Sequence, residues 1–186
     1  DEFNKFIATV ENIDNKETYD TLFLTGLRIG ELCALRWCDL DLEHKKLSVR
    51  GSFSTASRKV TSPKTKTSIR TIDLPNRLVE ELKQRYERKK KLDGFNDLYY
   101  VFGDIAVTWP GTFRYRFNND LKNVDVKHIT IHGFRHSHAS YLLSNPMISE
   151  SLVAERLGHS IDMLRSTYAH IYEKRRTALV EYIEKL

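Results

Sequence analysis

Four short segments contain the side chains whose types and spacing could act on a phosphate ester. They are residues 25–32 with Arg28 and Glu31, residues 63–66 with Lys64, residues 132–136 with His132 and Arg135, and residues 157–159 with His159, which Tyr168 follows nine residues later. A guanidinium is a permanently charged, forked ligand for phosphate, and a tyrosine phenol is a nucleophile once its proton is removed. Taken singly, each segment is also consistent with ordinary surface or core residues. The order in which the four segments occur together is what favours a catalytic site over these ordinary roles.

That order resembles the tyrosine recombinases, above all the integrases of phages and conjugative transposons. In this family an Arg lies in a Gly-Leu-Arg-x-x-Glu-Leu segment and a Lys lies in a β-hairpin. A His-x-x-Arg, a Leu-Gly-His and a Tyr about nine residues further on complete the pattern. All of these features occur here in order between residues 25 and 168. The resemblance covers nearly the whole chain and implies the catalytic-domain fold of that family.

The resemblance also implies a role for each residue in cutting and rejoining DNA. Tyr168 would attack a DNA phosphate and leave a 3′-phosphotyrosyl link, while Arg28 and Arg135 would bind the non-bridging oxygens. His132 lies one helical turn before Arg135 and would accept the tyrosine proton. His159 would donate a hydrogen bond to a phosphate oxygen.

Three further positions complete the expected set. Lys64 is predicted to be the general acid for the leaving 5′ oxygen, and Lys66 in the same hairpin is the alternative. Glu31 follows the first arginine by three residues and is expected to orient the site. Tyr172 lies one turn beyond Tyr168, but only Tyr168 has the family's distance from the Gly-His pair.

The charge distribution favours a polyanionic partner. The 186 residues have a formal net charge of +5, and residues 45–70 contain eight Lys or Arg and no Asp or Glu. Such a local field is typical of contact with a phosphate backbone. We therefore expect double-stranded DNA to be the partner, bound in part by Arg58, Lys59, Lys66 and Arg70. The resemblance implies that neither a metal nor another cofactor is required.

Alternative interpretations start from the same residues. His132, His136 and His138 could suggest zinc, but ligands would have to come from elsewhere and an accompanying acidic base is missing. His136 and His138 are expected to be helix-core residues or donors near DNA. A type IB topoisomerase-like enzyme uses the same residue types, and an inactive DNA-binding regulator would share the fold. A helical scaffold without a nucleic-acid role leaves the basic residues 45–70 unexplained.

The elements that must position these residues are mostly helical. The predicted fold class is mostly α with a small antiparallel β-sheet (α+β). Helical spacing predicts helices over about 3–10, 16–25, 28–35, 76–91, 111–122, 132–143, 149–157, 161–171 and 174–185. A turn is expected at 12–15. Strands at 47–53 and 69–74, joined by the polar, basic and turn-rich residues 55–67, are expected to pair as a hairpin or a small antiparallel sheet. Residues 98–102 are predicted to be a short strand or a buried segment. The cationic side chains of residues 83–91 are expected to face solvent.

The domain organisation is predicted to be a single catalytic domain over 1–186, the C-terminal part of a longer integrase with DNA-binding domains upstream. Its terminal helix, 174–186, has an apolar stripe and is expected either to fold back or to dock on a neighbouring protomer. The resemblance implies a homotetramer on DNA, with a monomer expected alone. Cys33 and Cys38 are expected to be reduced core residues of a cytoplasmic, nucleoid-associated bacterial protein. No signal peptide or membrane-length apolar run is present.

Overall fold

Helices make up most of the computed structural model, which describes residues 2–62, 68–122 and 124–185. The predicted fold class, mostly α with a small antiparallel sheet, is confirmed. The helices are α1 (Glu2–Thr9), α2 (Ile13–Thr25), α3 (Ile29–Ala34), α4 (Asn76–Lys89), α5 (Pro110–Leu121), α6 (Gly133–Ser144), α7 (Glu150–Leu157), α8 (Ile161–Thr167) and α9 (Ala169–Ile183), with a short 3-10 helix at Trp37–Asp39. The strands are β1 (Leu40–Asp41), β2 (Lys46–Val49), β3 (Ser52–Ser54), β4 (Lys59–Thr61) and β5 (Arg70–Asp73).

The strands form two small antiparallel sheets rather than one hairpin. One has the order β1-β2-β5, with Leu47 opposite Ile72, and the other pairs β3 with β4. The predicted strand over 47–53 is therefore divided between both sheets, because the chain leaves the first sheet after Val49. Leu47, Val49 and Ile72 are buried as strand alternation requires. The small β3–β4 hairpin lies between the two strands that sequence analysis expected to pair.

One predicted boundary is wrong for a local reason, and of the two predictions for residues 98–102 the buried segment is confirmed in part. Helix α2 begins at Ile13, so the expected turn over 12–15 is mostly helix, since the side chain of Asn12 caps the first turn by accepting the amide of Asn15. Residues 98–102 form no strand beyond a single bridge from Tyr100 to Arg36, although Val101 and Phe102 are buried as expected.

The apolar core has two parts, one of which contains Tyr168. The larger part includes buried strand residues of the sheet and an aromatic cluster from α1, α2, α5 and α6, formed by Phe6, Tyr19, Phe117 and Phe134. The smaller part is formed by buried side chains of α6, α7 and α8 around Tyr168. Helix α6 contributes to both parts. It therefore links the packing of the sheet side to the position of Tyr168.

Helix α4 departs from the expected solvent-facing pattern of cations. Arg85 is buried, where its guanidinium lies 2.6 Å from both Asp14 and Glu17 of α2. Burial of a charge is tolerated when it is paired in this way, so Arg85 fastens α4 to α2. Arg88 also reaches Glu17 and is partly exposed.

The two cysteines are both free thiols, but they differ in their surroundings. Cys33 is buried in the larger core, and burial raises its pKa to about 12. Cys38 is exposed, which corrects the expectation that both lie in the core. Of the helices that the structure describes, none is both long and apolar enough to cross a membrane.

Candidate active site

Arg28 is positioned by the sharp turn between α2 and α3. Gly26 ends α2 in a left-handed conformation, with a φ of 68°, and its amide bonds to the carbonyl of Leu22. Arg28 then caps α3, and Glu31 accepts hydrogen bonds from both its amide and its guanidinium at 2.9 Å. Glu31 thus fixes the backbone and the side chain of Arg28 together.

A second arginine holds Glu31 from the opposite side. Arg70 donates to both carboxylate oxygens, at 3.1 and 2.9 Å, and its Nε donates to the carbonyl of Arg156 at 2.7 Å. Burial favours a higher pKa for Glu31, but the hydrogen bonds and charges of Arg70 and Arg28 lower it below its usual value. The expectation that Arg70 binds DNA is wrong, because its side chain is only 3% exposed. Its position is that of a support for Glu31.

Arg135 brings three segments of the site together. Its guanidinium donates to the carbonyls of Gly26 and Leu157, both at 2.6 Å, and lies 2.8 Å from Nε2 of His159. Burial, followed by the charge of Arg28, lowers its pKa to about 9, so it remains a cation at neutral pH. Within the described residues no carboxylate forms an ion pair with Arg135. A buried cation without a counter-ion is well suited to binding an anion.

His159 follows the left-handed Gly158 that ends α7. Burial and then the charges of Arg135 and Arg28 lower its pKa to about 4, so the imidazole is neutral at physiological pH. Since its Nε2 faces an N–H of Arg135, its proton belongs on Nδ1. That Nδ1 is buried and has no hydrogen-bond partner among the described residues. It is therefore a hydrogen-bond donor that no acceptor in the described part of the chain satisfies.

The cluster formed by Arg28, Glu31, Arg70, Arg135 and His159 has an excess of positive charge. Arg28, Arg70 and Arg135 supply three positive charges that lie within electrostatic reach of one another, while Glu31 supplies one negative charge. Because His159 is neutral, two positive charges remain uncompensated within the described part of the cluster. A phosphodiester, whose negative charge increases as it is attacked, matches this excess.

Tyr168 occupies the break between α8 and α9. Its φ and ψ of −115° and 30° end the first helix, whereas sequence analysis expected helix to continue to residue 171. The residue is 3% exposed, and its hydroxyl lies 3.2 Å from Nδ1 of His136. Burial raises its pKa, and the nearby charge of Arg135 opposes that rise. At Tyr172, burial and the carboxylate of Glu150 raise the pKa, and the charges of Arg175 and Arg165 oppose that rise. What distinguishes the two tyrosines is the histidine at the Tyr168 hydroxyl, since the buried Tyr172 hydroxyl has no hydrogen-bond partner among the described residues.

The histidine at the tyrosine hydroxyl is not the one expected from sequence. His132 caps α6 and is exposed, and the contact with Tyr168 comes from His136 instead. The two imidazole rings are perpendicular, with centroids 4.9 Å apart. A spacing of four residues on one helix places both histidines on the same face. That spacing is the sequence signal that could have indicated His136.

Of the remaining predicted residues, Arg58 and Lys59 belong to the β3–β4 hairpin. Lys64 and Lys66 fall outside the described residues. Arg58 and Lys59 are exposed at the tip of the hairpin. They line an open cleft of about 800 Å³ together with Arg36, Phe53, Tyr100 and Trp109. In the part of the chain that the structure describes, no three His, Cys, Asp or Glu side chains are grouped as metal ligands.

The family model described as "Phage integrase family" matches residues 1–175. The chain belongs to the phage integrase family. Among the relatives of this integrase-family chain, the ICEBs1 integrase of Bacillus subtilis (strain 168) is 31% identical over 199 residues, covering 100% of this chain and 53% of the relative. The integrase of Staphylococcus phage L54a is 30% identical over 176 residues, covering 88% of this chain and 49% of the relative. The chain thus spans about half the length of the curated relatives it matches.

Solved structures of recombinases share the fold of this integrase-family chain. XerA recombinase superposes with a TM-score of 0.72 and 22% identity, covering 94% of this chain and 63% of that one. The Tn1549 transposon integrase, solved in complex with circular intermediate DNA, gives a TM-score of 0.71 and 22% identity, with 97% and 64% covered. At this level of identity the likeness concerns the fold.

Gly26 offers a direct test of how the integrase site is assembled. A Cβ at Gly26 would lie 2.7 Å from His138 and 2.9 Å from Leu157, in addition to the cost of a positive φ. Gly94 has a similar φ of 70°, but a Cβ there would meet only the Tyr99 hydroxyl, at 3.3 Å. We expect Gly94→Ala to lower the free energy of unfolding by about 1 kcal/mol, and Gly26→Ala by about 2–5 kcal/mol.

Chemical denaturation gives the free energy of unfolding of both variants. Gly94→Ala reports the cost of the left-handed backbone alone, and Gly26→Ala reports that cost plus the cost of the steric clash. Gly26→Ala should also slow DNA cleavage, because the Gly26 carbonyl accepts a hydrogen bond from Arg135. Equal destabilisation by the two variants would contradict the close packing of α2 against α6 and α7.

Proposed function

We propose that the whole protein is a site-specific DNA recombinase of the tyrosine type that integrates or excises a mobile genetic element. The observation that carries this proposal is the pair of uncompensated positive charges beside the unpaired Nδ1 of His159 and the phenol of Tyr168. Membership of the phage integrase family and relatives named as integrases support the same activity.

The proposed roles follow from the chemistry of each group. Arg28 and Arg135 bind the non-bridging oxygens of the scissile phosphate, and Nδ1 of His159 donates to one of them. Removing one such donor from a site shielded from water typically raises the barrier by about 3 kcal/mol or more. Lys64 is proposed to protonate the leaving oxygen, with Lys66 as the alternative. These two lysines lie outside the described residues, so their roles rest on the family pattern.

The proposed reaction conserves bond energy. The Tyr168 oxygen forms a bond to phosphorus while the bond from phosphorus to the 5′ oxygen breaks, and the released 5′ hydroxyl keeps the proton given by the general acid. A 5′ hydroxyl from another strand then attacks the phosphotyrosine and gives its proton to the general acid, which lost its own in the first step. The Tyr168 phenolate leaves phosphorus and is protonated. Because one phosphate diester replaces another at each step, the protein requires no ATP to rejoin the strands.

We further propose that the β3–β4 hairpin contacts the DNA backbone on one side of the scissile phosphate. The cleft beside it presents Arg36, Arg58 and Lys59. Cations of this kind gain affinity for duplex DNA by releasing its condensed counterions. Trp109 is 43% exposed at the same cleft and offers an apolar surface to a deoxyribose. The proposed substrates are a bacterial chromosome and the ends of the mobile element, both in the cytoplasm.

We propose that the chain is the catalytic domain of a longer integrase and that four copies assemble on two DNA duplexes. Helix α9 supports assembly, since Leu179, Val180, Tyr182 and Ile183 are each more than half exposed. Such a stripe on the terminal helix is suited to packing against a neighbouring protomer. A monomer in the absence of DNA is the corresponding expectation.

Strand exchange between two duplexes that carry the element's attachment sites is the experiment that tests the proposed function. We expect recombinant products in buffer that contains a metal chelator and no ATP. Relaxation of supercoiled DNA without exchange would identify a topoisomerase-like enzyme, and DNA binding without cleavage would identify a regulator. The same assay with residues 174–186 deleted tests the assembly, because exchange and sedimentation of the tetramer should fall more than single-site cleavage does.

A further inference from the structure

The hydroxyl of Tyr168 contacts a histidine to which the proposed reaction has so far given no role. Its oxygen lies 3.2 Å from Nδ1 of His136, and the two ring centroids are 5.8 Å apart. Among the described residues, His136 is the hydrogen-bond partner of this hydroxyl. We propose that His136 is the general base that accepts the Tyr168 proton during cleavage and returns it during rejoining. This inference rests on the proposed recombinase function.

The surroundings of Tyr168 show why a proton acceptor is needed. The ring is almost fully buried, and burial raises the pKa of the phenol. The charge of Arg135 opposes this rise without reversing it, so the neutral phenol persists at physiological pH. A neutral phenol is a weak nucleophile, and an acceptor at hydrogen-bonding distance removes the proton as the bond to phosphorus forms.

The proton transfer balances in both directions. To act as the base, the imidazole of His136 has to present the lone pair of Nδ1 to the phenol and carry its own proton on Nε2. As the Tyr168 oxygen bonds to phosphorus, its proton passes to Nδ1, and an imidazolium forms. When a 5′ hydroxyl later expels the phenolate, Nδ1 returns the proton to the phenolic oxygen.

His132 is placed to assist this transfer rather than to perform it. Its ring lies perpendicular to that of His136, with the centroids 4.9 Å apart. Partial burial, followed by the neighbouring His136, Arg135 and Arg28, lowers the pKa of His132 and favours its neutral form. Both histidines are exposed on the same face of α6. Because His136 occupies the tyrosine hydroxyl, His132 remains free to contact the phosphate.

The test compares single-turnover cleavage by His136→Ala with that of a matched surface variant. His170 is exposed and lies two residues after Tyr168, so His170→Ala is the control and should cleave at the wild-type rate. His136→Ala should cleave at least about 100-fold more slowly, the range that a general base contributes. Its DNA affinity and melting temperature should stay close to those of wild type, because the imidazole is exposed.

Two chemical substitutions separate proton acceptance from a structural role. A 5′-bridging sulfur gives a leaving group that needs no proton, so it should rescue Lys64→Ala and leave His136→Ala slow. A fluorinated tyrosine at position 168 is a stronger acid and loses its proton without help. In the His136→Ala variant, the fluorinated tyrosine should restore cleavage. The comparison is the same variant with the ordinary tyrosine at position 168.

Each outcome bears on one of the two claims. Absence of cleavage by the wild type would overturn the proposed function, and this inference with it. If wild type cleaves while His136→Ala cleaves at the same rate, His136 is not the base and the proposed function stands. A slow His136→Ala that the acidic tyrosine does not rescue would also overturn the inference, since a lost proton acceptor is the defect that a more acidic phenol repairs.

Discussion

Tyr168→Phe is expected to abolish DNA cleavage while leaving the fold and DNA binding almost intact. The variant lacks the oxygen that forms the bond to phosphorus, so no covalent step remains. The lost hydrogen bond to the exposed His136 should cost about 0.5–1.5 kcal/mol of unfolding free energy. Gel assays of strand cleavage, with binding and thermal melting measured on the same preparation, report all three properties.

Tyr172→Phe is the matched control for this change. It removes the same atom one helical turn away, from a tyrosine that lies beside Glu150 and has no histidine partner among the described residues. Its cleavage rate should remain within a few-fold of wild type. Loss of cleavage in Tyr172→Phe and its retention in Tyr168→Phe would move the nucleophile by one turn and contradict the assignment.

Arg135→Lys is expected to slow cleavage by about 10²–10³-fold or more, although it preserves the charge. The guanidinium of Arg135 reaches two carbonyls and His159 at once, which a single ammonium cannot reproduce. Each carbonyl that loses its donor in the buried site should also cost about 1–3 kcal/mol of stability. Quenched-flow cleavage below the melting temperature separates the loss of catalysis from unfolding.

Arg165→Lys supplies the control for an arginine-to-lysine change. Arg165 pairs with Glu150 at the surface, where solvent screening leaves such a pair little effect on stability. We expect no change in cleavage and little change in stability. If Arg135→Lys behaved in the same way, Arg135 would not be the phosphate ligand that the account requires.

Sequence analysis predicted the helical fold and the segments of the site because each depends on local rules. Gly26 and Gly158 break helices in the sequence and adopt left-handed conformations in the structure, at φ values of 68° and 65°. Helical periodicity could not place the break at Tyr168, since apolar spacing continues through that residue. The break depends on the packing of α8 and α9, which local spacing does not describe.

The error at Arg70 has a similar origin. A count of basic residues measures the field of a segment and takes no account of which side chains point inward. Arg70 and Ile72 are two residues apart on β5 and both are buried, as strand alternation requires. An arginine on that inward face needs a buried carboxylate, and Glu31 supplies it from α3. The partner is 39 residues away in sequence, so only the fold reveals the pair.

The contact between His136 and Tyr168 was missed because two histidines of α6 are equivalent by spacing. His132 and His136 share one helical face, and the family pattern draws attention to the first. Which of them meets the tyrosine depends on where α8 ends relative to α6. That relation is set by the smaller core around Leu143, Leu157 and Leu164.

The assignment of Tyr168 as the nucleophile is tested most directly by identifying the residue that becomes covalently linked to DNA. The protein is incubated with a duplex attachment site that carries a nick beside the scissile phosphate, so that the released fragment diffuses away and the covalent complex accumulates. Protease digestion and mass spectrometry then locate the modified peptide. We expect a 3′-phosphate joined to Tyr168 and a free 5′ hydroxyl on the other fragment. An adduct on another residue, an adduct through a 5′ phosphate, or cleavage without an adduct would contradict this expectation.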